Sequence, residues 1–200
     1  MLTALQNFLY NCALSFDLPI LDWIQANLQS GFMDKFMPFI TVFGDAGIFW
    51  MVISALMLVF PKTRKTGLGM AIAMMIGLLV CNVTLKPLVA RIRPYDLQAE
   101  LGVTIRLLCE AQHDFSFPSG HTIASFEAAV VMLKNRKFGI PAMILAVLIS
   151  FSRLYLYVHY PTDVIVSVIL GTLFALIGDA LAGLIAPKLG AGQRKGKYER

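Results

Sequence analysis

Two hundred residues, 58% hydrophobic and only 14% charged, make a chain too apolar for a soluble globule, in which about a quarter of residues would carry charge. The composition places it in a bilayer as one domain, with no length for a second module and no linker, repeat or low-complexity tract. The net charge of +5 gathers in short polar loops and at the C-terminal end, so it bears on membrane orientation, and no basic, aromatic-interleaved groove suits nucleic acid.

Residues 1–34 contain no Lys or Arg, which leaves no positively charged n-region for a cleavable signal and predicts that this end is retained. Their apolar positions (Leu5, Phe8, Leu9, Leu14, Leu18, Ile20, Leu21, Ile24, Leu28) are interrupted by Asn11, Asp17, Asp22 and Asn27, a pattern that suits helices lying at the membrane surface. A sixth span here is the open alternative.

A first span is predicted from Phe36 to Phe60, interrupted at Gly44-Asp45-Ala46-Gly47 and stopped by Pro61-Lys62-Thr63-Arg64-Lys65. The second runs from about Gly67 to Ala90, long enough for a hydrocarbon core of roughly 30 Å. A polar loop covers Arg91 to Phe117. The third span opens near Ser119 and ends before Lys134, the fourth runs from Ile140 to about Val158, and the fifth from Pro161 to Ala186. The expected fold is therefore all-α, a polytopic transmembrane helix bundle of about five spans plus N-terminal interfacial helices. Residues 1–187 form the membrane domain, and residues 188–200 a basic, loosely ordered cytoplasmic tail.

Positive charge follows the first, third and fifth spans, at Lys62, Arg64 and Lys65, at Lys134, Arg136 and Lys137, and at Lys188, Arg194, Lys195, Lys197 and Arg200. By the positive-inside rule these segments face the cytoplasm, which sends the 91–117 loop and the N-terminus outside. Three polar blocks then meet at the outer face: Lys86 to Pro94, Phe115 to Thr122, and Ser152 to Asp163. Ser119 to Leu133 measures only about 22 Å as a helix, so His121 is expected near headgroup level.

The chemistry of these blocks suits a phosphate ester. Pro118-Ser119-Gly120 opens a helix whose first N–H groups lack partners and attract an anion. Lys86 and Arg93 are seven residues apart and share a face if the helix persists between them, and Arg153 adds a planar fork for bidentate contact. His159 and Asp163 are four apart, so a helical turn would bring the carboxylate beside the imidazole, fix its tautomer and leave the other nitrogen free to attack. Any one of these features has a plainer meaning, since span-end cations snorkel and a single membrane-edge His is ordinarily a satisfied polar group. Two of only three histidines fall inside the blocks, however, on one membrane face with three cations.

In order and spacing, Lys86-x6-Arg93-Pro94, then Pro118-Ser119-Gly120-His121, then Ser152-Arg153-x5-His159-x3-Asp163 resembles the signature of the type 2 phosphatidic acid phosphatases. These are integral-membrane lipid phosphate phosphatases that share a site with vanadium haloperoxidases. The resemblance implies a phosphohistidine mechanism without metal or other cofactor, the cationic side chains taking a metal's place. It makes His159 the nucleophile, Asp163 its orienter and His121 the acid to the leaving group and then the base to water. It also makes Lys86, Arg93, Ser119, Gly120 and Arg153 the phosphate-binding set. The substrate implied is a lipid phosphate or diphosphate at the outer leaflet of a bacterial cell membrane, undecaprenyl diphosphate before phosphatidylglycerophosphate or phosphatidic acid. Phosphotransfer to a lipid or sugar hydroxyl, haloperoxidase chemistry and non-catalytic lipid-phosphate binding or transport are the competing readings.

Other residues have blander expectations. Glu127 is read as hydrogen-bonded within the bundle, with a proton-relay role as the alternative, and Asp45 as part of an outer-edge turn. Asp179 is placed in an interaction inside the fifth span. Tyr155, Tyr157 and Tyr160 read as an interfacial aromatic belt or the lining of a lipid entrance. Met70, Met74 and Met75 read as filler, and Cys12, Cys81 and Cys109 as small apolar residues without metal or redox spacing. His113 is a loop residue. Nothing in the chain sets an oligomeric state.

Overall fold

The computed structural model describes residues 2–195, and their regular secondary structure is all helix, without a strand. α1 (Leu2–Cys12) and α2 (Leu18–Leu28) are joined through a wide π turn, Ala13–Asp17. Together they make one helical run, residues 2–28, which is not among the stretches long and apolar enough to cross a membrane. Both present large apolar side chains outward, with Phe8 61% and Trp23 57% exposed. That agrees with helices lying at the interface and leaves the sixth span without support.

The first expected span is a broken one: α3 (Met33–Thr41), a tight segment Val42–Gly47, and α4 (Ile48–Val59). α5 (Arg64–Gly77) continues through a π-helical stretch, Leu78–Leu85, into the single turn α6 (Lys86–Val89). There Ala90 adopts a left-handed conformation (φ 48°) and ends the run. α7 (Pro94–Glu100) lies in the following loop. α8 (Gly120–Met132), α9 (Arg136–Tyr155) and α10 (Pro161–Lys195) complete the chain.

Among the described residues, four stretches are long and apolar enough to cross a membrane: Met33–Val59, Arg64–Glu100, Arg136–Tyr155 and Pro161–Ala186. The expected third span differs in kind. α8 has only 13 residues, about 20 Å, and nine of them are buried. It packs against α5, α9 and α10 in the middle of the bundle, so its neighbours meet the lipid in its place. A second difference lies at the C-terminus, where the segment expected to be a loose tail from residue 188 continues α10 as helix through Lys195. The remainder of that tail, residues 196–200, lies outside the described residues.

Between helices in lipid there is no hydrophobic drive, and association rests on close backbone approach and hydrogen bonds. At the α5–α10 crossing a Cβ on Gly178 would stand 2.5 Å from the carbonyl oxygen of Gly69, so only glycine lets the two backbones meet. Trp50 Nε1 donates to Ser125 Oγ (3.0 Å) and Ser54 Oγ to the Gly67 carbonyl (2.8 Å), tying α4 to α8 and α5. Each such bond is worth about 0.6 kcal/mol on average. Met70 is fully buried in this core, Met74 packs against it, and Met75 faces outward.

The tyrosine cluster is no surface belt. Tyr155, Tyr157 and Tyr160 are each at most 1% exposed. Tyr155 donates to Asp34 on α3 (2.5 Å) and Tyr157 to Asp22 on α2 (2.6 Å), so these two rings act as struts binding α2 and α3 to the end of α9. In a chain this poor in charge, a phenol with a carboxylate within reach is held inward by that bond instead of standing at the interface.

Candidate active site

α6 ends, α8 begins, α9 ends and α10 begins at one end of the bundle, and that topology assembles the site. The basic turns lie at the other end, where Lys134 reaches Asp179 on α10 (2.5 Å) and Lys65 lies against Gly183. Lys86, Arg93, Gly120, His121, Arg153 and His159 line one cavity of about 620 Å³. From them the cavity runs down an apolar wall between α4 and α5 that includes Met51, Ala55, Leu58, Met74 and Leu78.

Lys86 and Arg93 do converge, but not along a helix face. Proline at 94 disfavours helical backbone in the residue before it, and Arg93 is extended (φ −79°, ψ 155°) beyond the break at Ala90. The two cations meet instead on Asp114, which accepts from Lys86 Nζ at 2.5 Å and also pairs with Arg93. Arg93 Nε donates to the Asp114 carbonyl (2.8 Å) and NH1 to the Val158 carbonyl (2.6 Å), which fixes the fork 3.4 Å from His159 Nε2. Partial burial would push the Asp114 carboxyl up, and the hydrogen bond and charge of Lys86, with Arg93, outweigh it and hold it down at about 2.

Asp114 thus sits where a phosphate would pair with the same two cations. Asp114→Asn removes a competing negative charge a few ångströms from the anion, and vanadate is expected to bind on the order of tenfold more tightly. Vanadate titration of the purified variant checks this, and weaker binding would instead make Asp114 a support for the cations.

Arg153 is 2% exposed and donates NH1 to Thr41 Oγ1 (2.6 Å), while Nε and NH2 have no partner. His159 is equally buried, in the turn after α9. Burial, followed by the charges of Arg93, Arg153 and Lys86, holds its imidazole well below the ordinary value, so the ring is neutral. Its Nδ1 stands 3.6 Å from Asp163 Oδ2, beyond a hydrogen bond, and has no closer partner. The reason is that α10 starts only at Pro161, so no helical turn connects the pair.

The Asp163 carboxylate is instead held by three other groups: the Ser116 hydroxyl, the Tyr160 N–H (3.1 Å) and the Arg91 guanidinium. Arg91 also donates to Asp17 (2.7 Å) and stacks over the Tyr160 ring (3.8 Å to its centroid). Asp17 in turn accepts from the Thr162 N–H and hydroxyl. A buried chain of charges therefore joins the N-terminal segment to Asp163, although the sequence reading gave Arg91 no role inside its block and Asp17 lies outside every block.

Ser119 is fully buried and off the cavity wall; its N–H donates to Ser167 Oγ (2.8 Å) and its hydroxyl accepts from Thr122. It makes no side-chain cap to α8, so the first N–H groups of that helix open toward the cavity beside Gly120. His121 Nε2 pairs with Asp45 Oδ1 at 2.8 Å. Glu127 is 1% exposed, is among the residues lining the deeper wall, and packs its carboxyl group against Gly77 of α5.

The arrangement has close counterparts. The undecaprenyl-diphosphatase of Sulfolobus acidocaldarius is 33% identical over 80% of this chain and 75% of its own length. Undecaprenyl-diphosphatase BcrC of Bacillus subtilis is 30% identical over 74% of this chain and 77% of its own. The crystal structure of a transmembrane PAP2-type phosphatidylglycerolphosphate phosphatase from Bacillus subtilis superimposes with a TM-score of 0.71 at 26% identity, covering 92% of this chain and 93% of that one. Residues 62–181, which carry all three polar blocks, match the family model of that same fold, and the chain belongs to the PAP2 superfamily.

Proposed function

We propose that this chain is a membrane phosphatase that removes the terminal phosphate of a polyprenyl diphosphate, undecaprenyl diphosphate foremost, through a phosphohistidine on His159. The observation that carries this is the joining of two imidazoles, three cations and a helix N-terminus to an apolar groove in one cavity. Lys86, Arg93, Arg153 and the N–H groups at Gly120 bind the non-bridging oxygens, where charge must be stabilised in the transition state. His159 Nε2 forms the bond to phosphorus as the bond to the leaving oxygen breaks. His121 supplies the proton to that oxygen and then takes one from the water that displaces the histidine. Ser119 supports the start of α8 from below, and Asp163 stabilises the charge that His159 acquires.

The relatives named as undecaprenyl-diphosphatases support the diphosphate substrate. The positive-inside rule supports an active site facing outside a bacterial cell membrane, because the basic turns lie at the end opposite the cavity. One observation favours a second substrate class: Glu127 is a polar residue among those lining the tail wall, and an all-hydrocarbon isoprenoid offers it no partner. A glycerolipid phosphate would bring an ester or hydroxyl near it.

A phosphate-release panel on detergent-purified protein decides between them. Isoprenoid diphosphates are expected to turn over at least tenfold faster in kcat/KM than phosphatidic acid or phosphatidylglycerophosphate, a difference of about 1.4 kcal/mol. Vanadate is expected to inhibit and EDTA to leave the rate unchanged. Faster turnover of the glycerolipids would reverse the substrate order, and no phosphate release from either class would leave a binding protein.

A further inference from the structure

We propose that Asp45 is the positioning residue for His121, so that the acid of this site is a carboxylate-imidazole pair built from two distant segments. The inference rests on His121 acting as the proton donor in the reading above. Three features of the 42–47 segment support it. Asp45 Oδ1 lies 2.8 Å from His121 Nε2, so the proton on that nitrogen is committed to the carboxylate and Nδ1 is the nitrogen left for the leaving oxygen. Gly44 packs flat on the ring: a Cβ there would stand 2.6 Å from His121 Cδ2 and 2.9 Å from Ile149 Cγ2. The backbone then leaves the helix at Asp45 (ψ 119°) and turns through left-handed Ala46 (φ 48°, ψ 15°) and Gly47 (φ 67°).

A left-handed alanine costs on the order of 1 kcal/mol, and a helix broken at this point also gives up backbone hydrogen bonds. The observed return on that cost is the placement of one carboxylate on one imidazole. Gly44, Ala46 and Gly47 form cavity wall on either side of the pair. The balance of the step is simple. As the His159–phosphorus bond forms and the phosphorus–oxygen bond breaks, the proton on His121 Nδ1 passes to the departing oxygen. The carboxylate favours the imidazolium that donates it. When water attacks, its proton returns to Nδ1.

The test uses the full-length protein in detergent and aryl phosphates of graded leaving ability, phenyl phosphate and 4-nitrophenyl phosphate. The value of kcat/KM reports phosphorylation of the enzyme, and the ratio between the two substrates is independent of the fraction of protein that is folded. A poor leaving group needs the donated proton and a good one does not. Asp45→Asn, which keeps the shape and removes the charge, is expected to lose about tenfold or more on phenyl phosphate and little on 4-nitrophenyl phosphate, raising the ratio about tenfold. Asp45→Ser is run beside it so that the result does not hang on one variant.

His121→Ala is expected to raise the ratio further, on the order of a hundredfold. An unchanged ratio in both Asp45 variants, with a raised one in His121→Ala, overturns the role of Asp45 alone. An unchanged ratio in His121→Ala overturns the proton-donor reading on which it rests.

Discussion

His159→Ala is expected to abolish turnover, by about 10⁴-fold or more, while vanadate still binds to a folded protein. The size follows from the chemistry: with the nucleophile gone, water must attack directly, and only the cations and helix N-terminus continue to assist. Brief mixing of wild type with ³²P-labelled substrate and an alkaline quench is expected to leave acid-labile label on the protein, absent in His159→Ala. Residual hydrolysis within tenfold of wild type would remove His159 as nucleophile. The pH profile adds a signed expectation. Burial and three cations hold this imidazole well below 6.5, so it is neutral and competent at and below that pH. The acid limb of kcat/KM belonging to the nucleophile is therefore expected below pH 6.5, and stability linked to this ring falls as pH drops through the unfolded value near 6.5, where the unfolded chain takes up the proton first.

Much of this arrangement was legible in the sequence because composition and charge asymmetry act along the chain. The spans, the basic turns at one end and the gathering of Lys86, Arg93, His121, Arg153 and His159 at the other need only alternation of direction and the positive-inside rule. Local geometry was less legible, because it depends on where helices stop. The spacing of Lys86 and Arg93 suggested one helix face, yet Pro94 and left-handed Ala90 break that helix and an unforeseen loop carboxylate, Asp114, joins the pair. The i to i+4 spacing of His159 and Asp163 likewise suggested a helical contact, and the turn before Pro161 leaves them 3.6 Å apart.

The partners missed altogether are pairings across long separations, Arg91 with Asp17 and His121 with Asp45. No periodicity encodes those. One signal was available: in a chain only 14% charged, each buried charge requires a partner, so Asp17 and Arg91 had to be paired with something. The Asp17–Arg91–Asp163 chain also explains why the short N-terminal helices stay docked. Their segment supplies Asp17 to a guanidinium that also pairs with Asp163.

Arg153→Lys is expected to cost about 10²- to 10³-fold in kcat/KM, roughly 2.7–4 kcal/mol, although the charge is kept. The guanidinium is 2% exposed and belongs to a residue that lines the cavity; one nitrogen is spent on Thr41, and Nε and NH2 have no protein partner. Two buried, charged N–H groups without protein acceptors carry a desolvation cost, and an incoming phosphate recovers it by accepting both in one plane. Lysine offers a single point of charge on a flexible stem and cannot hold Thr41 and two phosphate oxygens at once. The same reasoning predicts that vanadate or inorganic phosphate raises the melting temperature of the wild-type protein, with a shift that grows with ligand concentration as mass action requires. In Arg153→Lys that shift is expected to shrink or vanish, while the unliganded protein melts no lower than wild type because the unsatisfied fork has gone. A variant that keeps both full turnover and the full ligand-induced shift would mean that the two free nitrogens bind something other than phosphate.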